Sequence, residues 1–305
     1  MSIASEISRI NTNIANAYTA CNGKGATMPA SGSQNSANLA TTISSITTGG
    51  GIGIPREVST GGVYQMPSTS GFTFELPSNA TDLGACVLGN AFRGCTAITT
   101  ANFSSLTKIS GENALNYAFQ NCTGLTNVNL SNVEEISGQW SLECTFDGCT
   151  GLTSVDLSSL VNLKNNCCTS VFRGCTNLTN INFNSLYSIG GNTRNSLDYG
   201  QLKNSFTGCA SLTSLSFPNL VSIYNWGSLN TSATFYGNSY IQKLYFPKLN
   251  IISGDSTGQK YIFYNCSALT ELHFGAANQT AIEATAGYST LWGRGAGNAT
   301  VYFDL

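Results

Sequence analysis

Apolar residues recur along this chain at a nearly constant interval, and that interval predicts a stack of coils. Phenylalanine stands at Phe92, Phe119, Phe146, Phe172, Phe206, Phe235 and Phe263, separated by 27, 27, 26, 34, 29 and 28 residues. Three residues after these come Cys95, Cys122, Cys149, Cys175, Cys209 and Cys266, with Asn238 in their place in the sixth unit. Six residues after each Phe comes Ile98, Leu125, Leu152, Leu178, Leu212, Ile241 or Leu269. At +9 and +11 stand pairs such as Val128/Leu130, Ile181/Phe183 and Leu244/Phe246, and a later apolar pair follows, as in Leu106/Ile109 and Leu186/Ile189. The +9 and +11 residues alternate with polar neighbours, the period of a half-buried strand. One such strand per unit, stacked about 4.8 Å from the next, makes a parallel sheet along one face. The late apolar pair and the next Phe return the chain through the core. No unit buries its apolar side alone, so stability comes from stacking.

The predicted fold is therefore an α/β-type repeat solenoid dominated by β, with about seven repeats of 26–34 residues, a parallel sheet on one face and a short helical N-terminal segment. The stretches AFRGCTAITTANFSSLTKI and AFQNCTGLTNVNLSNVEEI resemble the BspA-like class of leucine-rich repeats over about residues 84–275. The resemblance implies a leucine-rich solenoid and a class that includes surface adhesins.

Three segments are predicted: a helical stem or attachment segment at 1–46, a Gly/Ser-rich tether at 47–62, and the solenoid at 63–305 with caps at 63–83 and 276–305. Residues 72–76, FTFEL, and 299–305, ATVYFDL, read as strands closing the two ends. In the stem, Ile3, Ile7, Ile10, Ile14, Ala17 and Cys21 form a heptad seam, which fits either a homotrimer through residues 3–21 or an intramolecular helical hairpin. A second helix is predicted at 35–46, with Leu39, Ile43 and Ile46 on one side. The segment from IASEISRINTNIANAYTA to NSANLATTISSI resembles helical modules of prophage tail-associated proteins, which implies a virion-associated receptor-binding component.

Composition narrows the function. Only 9% of residues are charged and the net charge is −2, which leaves no electrostatic footprint for nucleic acid. No run approaches the length of a membrane helix, and the first twenty residues lack a basic and apolar leader pattern. A virion-associated or extracellular, cell-surface location is expected, without a standard secretory leader and without membrane insertion. The cysteines at +3 read as an inward structural ladder of reduced thiols: CxxC is absent, and no Cys sits near His273 at metal-ligand spacing.

Chemistry is sparse. His273 is the single histidine, on a predicted strand with Glu271 on its face; an exposed polar pair accounts for them more simply than a catalytic dyad does. No catalytic residue, cofactor or metal is expected. The outward strand positions, Thr100/Asn102, Asn127/Asn129, Ser154/Asp156, Asn180/Asn182 and Ser214/Ser216, are small and polar, whereas Lys243/Tyr245 and Glu271/His273 are large, charged and aromatic. Those four, with Tyr224 and Trp226 from a variable-length insertion, are the candidate binding residues. Two structural accounts compete with that assignment: the strand residues are ordinary solvated side chains, and the insertion aromatics cover the convex side of the core. The expected activity is non-catalytic binding of a protein or glycan on a cell surface, by a phage tail component or by a bacterial adhesin.

Overall fold

The computed structural model describes residues 72–76, 78–85, 87–191, 200–225, 234–254, 262–285 and 299–305. The stem, the tether and Trp226 lie outside them. Among these residues the chain winds as a solenoid with three walls. The first wall holds the strands β1 (Phe72–Glu75), β3 (Ile98–Asn102), β5 (Asn127–Asn129), β7 (Ser154–Asp156), β9 (Asn180–Asn182), β11 (Ser214–Ser216), β13 (Lys243–Phe246), β15 (Glu271–Phe274) and β16 (Thr300–Phe303). The second holds β2 (Asp82–Leu83), β4 (Lys108–Ile109), β6 (Glu135–Ile136), β8 (Asn162–Leu163), β10 (Ser188–Ile189), β12 (Ser222–Asn225) and β14 (Ile251–Gly254). All pairings are parallel, and the second wall runs as one seven-stranded sheet. The first wall divides between β9 and β11 into sheets of five and four strands, beside the longest coil.

The second sheet is a finding that periodicity did not give. Sequence predicts a sheet on one face, but the late apolar pair supplies an additional short strand in each coil, with Ile109, Ile136, Leu163, Ile189 and Ile223 turned into the core. Two residues are too few to show alternation, yet stacking satisfies their backbone groups all the same.

The third wall has no strands and, among the described residues, no helix. It consists of successive tight turns in which a residue of positive φ recurs every fourth position: Asn113, Tyr117 and Asn121 in one coil, Trp140, Cys144 and Gly148 in the next, Asn166, Ser170 and Gly174 after that. Asn and Gly tolerate this left-handed conformation, which is incompatible with a continuing α-helix. Alternate N–H groups close local turns, as in Ala118 N to Leu115 O, while the others donate to the next coil, as in Leu115 N to Ser141 O, Tyr117 N to Glu143 O and Phe119 N to Thr145 O.

Inside, Phe92, Phe119, Phe146, Phe172 and Phe206 form a stacked column with centroids 5.1–6.2 Å apart. Phe183, Phe217, Phe246 and Phe274 form another. The described cysteines are free thiols, all buried. The Sγ atoms of Cys122, Cys149, Cys175, Cys209 and Cys266 donate to the carbonyls of Phe92, Phe119, Phe146, Phe172 and Phe235, at 2.9–3.1 Å. Burial pushes the thiols up, to about 12 for Cys122, Cys209 and Cys266. They are packing groups and weak donors, not nucleophiles.

Asn238 does more than fill a cysteine position. Between the fifth and sixth coils the turn wall slips by four residues: Leu202 N donates to Thr234 O and Asn204 N to Tyr236 O, where the register of the other coils would require partners four residues earlier. A slip of four keeps left-handed residues opposite one another. It also strands the Phe206 N–H, which donates to Asn238 Oδ1 at 2.9 Å, while Asn238 Nδ2 donates to Leu202 O at 3.2 Å and Phe235 O at 3.0 Å. A thiol has neither the reach nor the acceptor for this. Phe235 N to Ile262 O restores the regular register.

Candidate functional site

The outward side chains of the first wall form two columns. The strand registers align Thr100 with Asn127, Ser154 with Asn180, and Ser214 with Lys243, Glu271 and Thr300. The second column aligns Asn102, Asn129, Asp156 and Asn182, and then Ser216, Tyr245, His273 and Tyr302.

In the first four coils the second column serves the fold. Asn102 Oδ1 accepts the Ser104 N–H at 3.0 Å, Asn129 that of Ser131 at 3.2 Å, Asp156 that of Ser158 at 2.9 Å, and Asn182 that of Asn184 at 3.1 Å. Each side chain closes the bend that ends its strand, the local hydrogen bond for which Asn and Asp are preferred in turns. Two residues beyond Ser216 and Tyr245 stand Pro218 and Pro247, which have no N–H to cap. The bend therefore places no demand on the side chain at 216 or 245.

Tyr245, at the second of these positions, belongs to a cluster across three strands. The Tyr245 and His273 rings stack at 4.7 Å and 20°, and His273 and Tyr302 at 4.7 Å and 11°. His273 Nδ1 lies 3.0 Å from Asp304 Oδ1, and its Nε2 lies 3.1 Å from Glu271 Oε2. Lys243 Nζ pairs with Glu271 at 3.0 Å; this hydrogen bond, and secondarily that of His273, lowers the Glu271 carboxyl below its ordinary value. The imidazole thus lies between two carboxylates, one of which is also held by Lys243.

The structure thus brings Lys243, Tyr245, Glu271 and His273 together and adds Tyr302 and Asp304. The chain pattern missed these two because they lie on the closing strand, beyond the last complete repeat. Tyr224 is elsewhere: it sits on β12 in the second wall, opposite Ser253 of β14, with its backbone crossing so closely over Gly190 that a Cβ there would come within 2.2 Å of Tyr224 O. Trp226 lies outside the described residues.

Both imidazole nitrogens of His273 face carboxylates, which leaves neither directed at a substrate hydroxyl, as a general base requires. Among the described residues no group of three His, Cys, Asp or Glu side chains is placed to hold a metal ion, and no helix is long and apolar enough to cross a membrane. Arg173 grips Asp147 on the turn wall, with Nε 3.0 Å from Oδ1 and Nη2 2.7 Å from Oδ2, and Gln120 Nε2 donates to the same carboxylate at 2.8 Å. That arrangement links three coils and is structural.

A family model described as "BspA type Leucine rich repeat region" matches residues 88–196 and 202–290 in 6 copies. Solved structures similar to the chain include a leucine-rich repeat protein from Bacteroides ovatus ATCC 8483, at 20% identity and a TM-score of 0.29, covering 68% of this chain and 66% of that one. Slightly less than two thirds of that protein's length is therefore spanned. Another is a leucine rich cell surface protein from Faecalibacterium prausnitzii A2-165, at 13% identity and a TM-score of 0.23, covering 77% of this chain and 88% of that one. Superpositions this loose say nothing about what the chain binds. No curated protein matches the sequence.

Proposed function

We propose, from the premise that this chain belongs to the BspA-type leucine-rich-repeat family, that it is a non-catalytic binding protein that engages a partner on a cell surface through the C-terminal end of its first wall. The observation that carries the reading is the change along the second column from bend-capping Asn and Asp to the Tyr245–His273–Tyr302 stack flanked by Lys243, Glu271 and Asp304. Aromatic and charged side chains that cap no bend, held by parallel strands on an outer wall, are what a recognition surface requires. Function belongs to such a site and not to the solenoid as such.

The test is binding of the fluorescently labelled full chain to intact bacterial and epithelial cells. Saturable binding that falls at least about tenfold in Tyr245→Ala, and stays unchanged in Asn127→Ala, supports the reading. Absence of saturable binding to any cell type opposes it.

A second reading places the chain on a phage or prophage tail, with residues 1–46 as a trimeric stem. It rests on the heptad seam and on the N-terminal sequence resemblance alone. Light scattering on the full chain discriminates: a trimer favours the tail component, a monomer the cell-surface adhesin.

A further inference from the structure

We infer that the open face of Tyr245 and the serines beside it form a subsite for a neutral glycan, bound with one pyranose ring stacked on the tyrosine. The inference rests on the binding reading above and names its ligand class.

Stacking with His273 at 4.7 Å and 20° sets the Tyr245 ring upright across the sheet, with one face covered by the imidazole. The other face looks back along the sheet toward β11, where its register partner is Ser216, with Ser214 beside Lys243. Both serines are exposed, and a serine side chain is too short to cover a phenol ring. The result is a step one strand wide, about 4.8 Å, walled by an aromatic face and floored by hydroxyls. The axial C–H groups of a pyranose carry partial positive charge and suit the negative face of an aromatic ring. Its hydroxyls would meet Ser214, Ser216 and the Lys243 ammonium as donors and acceptors.

The chemistry favours a glycan over a protein. A protein interface of ordinary strength needs a contiguous apolar centre, and among the described residues the exposed large apolar side chains divide between Val161, Tyr187 and Ile251 at the second wall or its margin and Tyr240, Tyr302 and Leu305 at or beside the first, so that neither wall gathers them all. An anionic polymer would need a free cation, yet Lys243 is paired with Glu271, and the Glu271 and Asp304 carboxylates both face His273. What remains unpartnered is one ring face and a row of small hydroxyls.

The test is affinity electrophoresis of the full chain through gels containing mixed-linkage β-glucan, galactomannan, xylan or dextran. At least one polymer is expected to retard the wild type. Tyr245→Phe, which keeps the ring, retains that retardation, and Tyr245→Ala weakens it at least about tenfold. Ser216→Tyr extends the aromatic column by one strand, occupies the open face without removing any contact, and abolishes binding at an unchanged melting temperature. Retardation by none of the four, or equal retardation of wild type, Tyr245→Ala and Ser216→Tyr, overturns the inference. Cell binding separates this from failure of the broader reading. Binding lost after periodate oxidation of the cells supports the glycan. Binding that survives periodate and is lost after protease treatment overturns the glycan while leaving the adhesive role intact. No cell binding at all overturns both.

Discussion

The first four coils and the last three present the same wall of the solenoid with different chemistry. In the first four, the residue ending each strand is Asn102, Asn129, Asp156 or Asn182, and its oxygen is consumed by the N–H two residues on. In the fifth and sixth coils that N–H is replaced by Pro218 and Pro247, and the corresponding positions carry Ser216 and Tyr245. A polar ladder that looks like a presented surface is therefore the fold's own capping system, whereas Tyr245 has no bend to cap. Regular exposed polarity in a solenoid is poor grounds for assigning a binding face; a departure from it, with the structural demand removed, is better.

The interior shows a related contrast. Five coils satisfy the carbonyl of a preceding Phe with a thiol, and one junction relies on the three hydrogen bonds of Asn238. The largest effect on this comparison should come from alkali. A thiol whose value is raised stays neutral in the folded state while the unfolded one ionises above its ordinary 9.0, so its contribution is complete below pH 9 and is lost as pH rises toward about 12. Each of Cys122, Cys209 and Cys266 then removes about 1.4 kcal/mol of stability per pH unit over that range. Denaturant titrations between pH 8 and 11 should show a shallower decline in Cys209→Ala than in the wild type; parallel declines would mean the thiols are not neutral packing groups.

Asn238→Ala comes next. It strands a buried N–H and removes the donor to two carbonyls, and it should cost about 3 kcal/mol or more by urea unfolding. Cys149→Ala removes one weak donor and should cost about 1–2 kcal/mol. Asn238→Cys restores the repeat's usual residue and should still destabilise, because the slipped register needs an acceptor; a neutral result would contradict the slip.

On the surface, Asn129→Ala should cost about 1 kcal/mol through its lost bend cap, while Tyr245→Ala should change stability by less than about 0.5 kcal/mol. The smallest effect is that of Glu271. Its lowered carboxyl stabilises the attachment of β15 above the ordinary carboxylate range, and that contribution disappears as pH falls through its folded value. Glu271→Gln should remove this acid dependence, seen as amide protection factors in β15 and β16 that fall with pH in the wild type and do not fall in the variant.

Much of this was legible in the chain. The Phe and Cys intervals define the coil, and the change from small polar to large residues at 243 and 271 marks the cluster. The bend caps were also legible in principle, since the outward residue is followed at the second position by Ser, Ser, Ser and Asn in four coils and by Pro in two. Two-residue strands are too short to carry a period. The slip at Asn238 leaves no trace in spacing, because left-handed positions are filled by residues as different as Asn204, Ser170 and Tyr117. The partnership of His273 with Tyr302 and Asp304 depends on the closing strand, 29 to 31 residues away, whose register no repeat predicts.

The most direct measurement of the central claim is cell binding by two full-length variants carrying the same new side chain at the two ends of the wall. Ser216→Tyr covers the open face of Tyr245; Asn127→Tyr places an identical ring on an exposed strand position of the second coil, where no bend cap is disturbed. The account predicts that Ser216→Tyr abolishes binding and Asn127→Tyr leaves it at the wild-type level. Equal binding by the two, or loss in Asn127→Tyr alone, would contradict it.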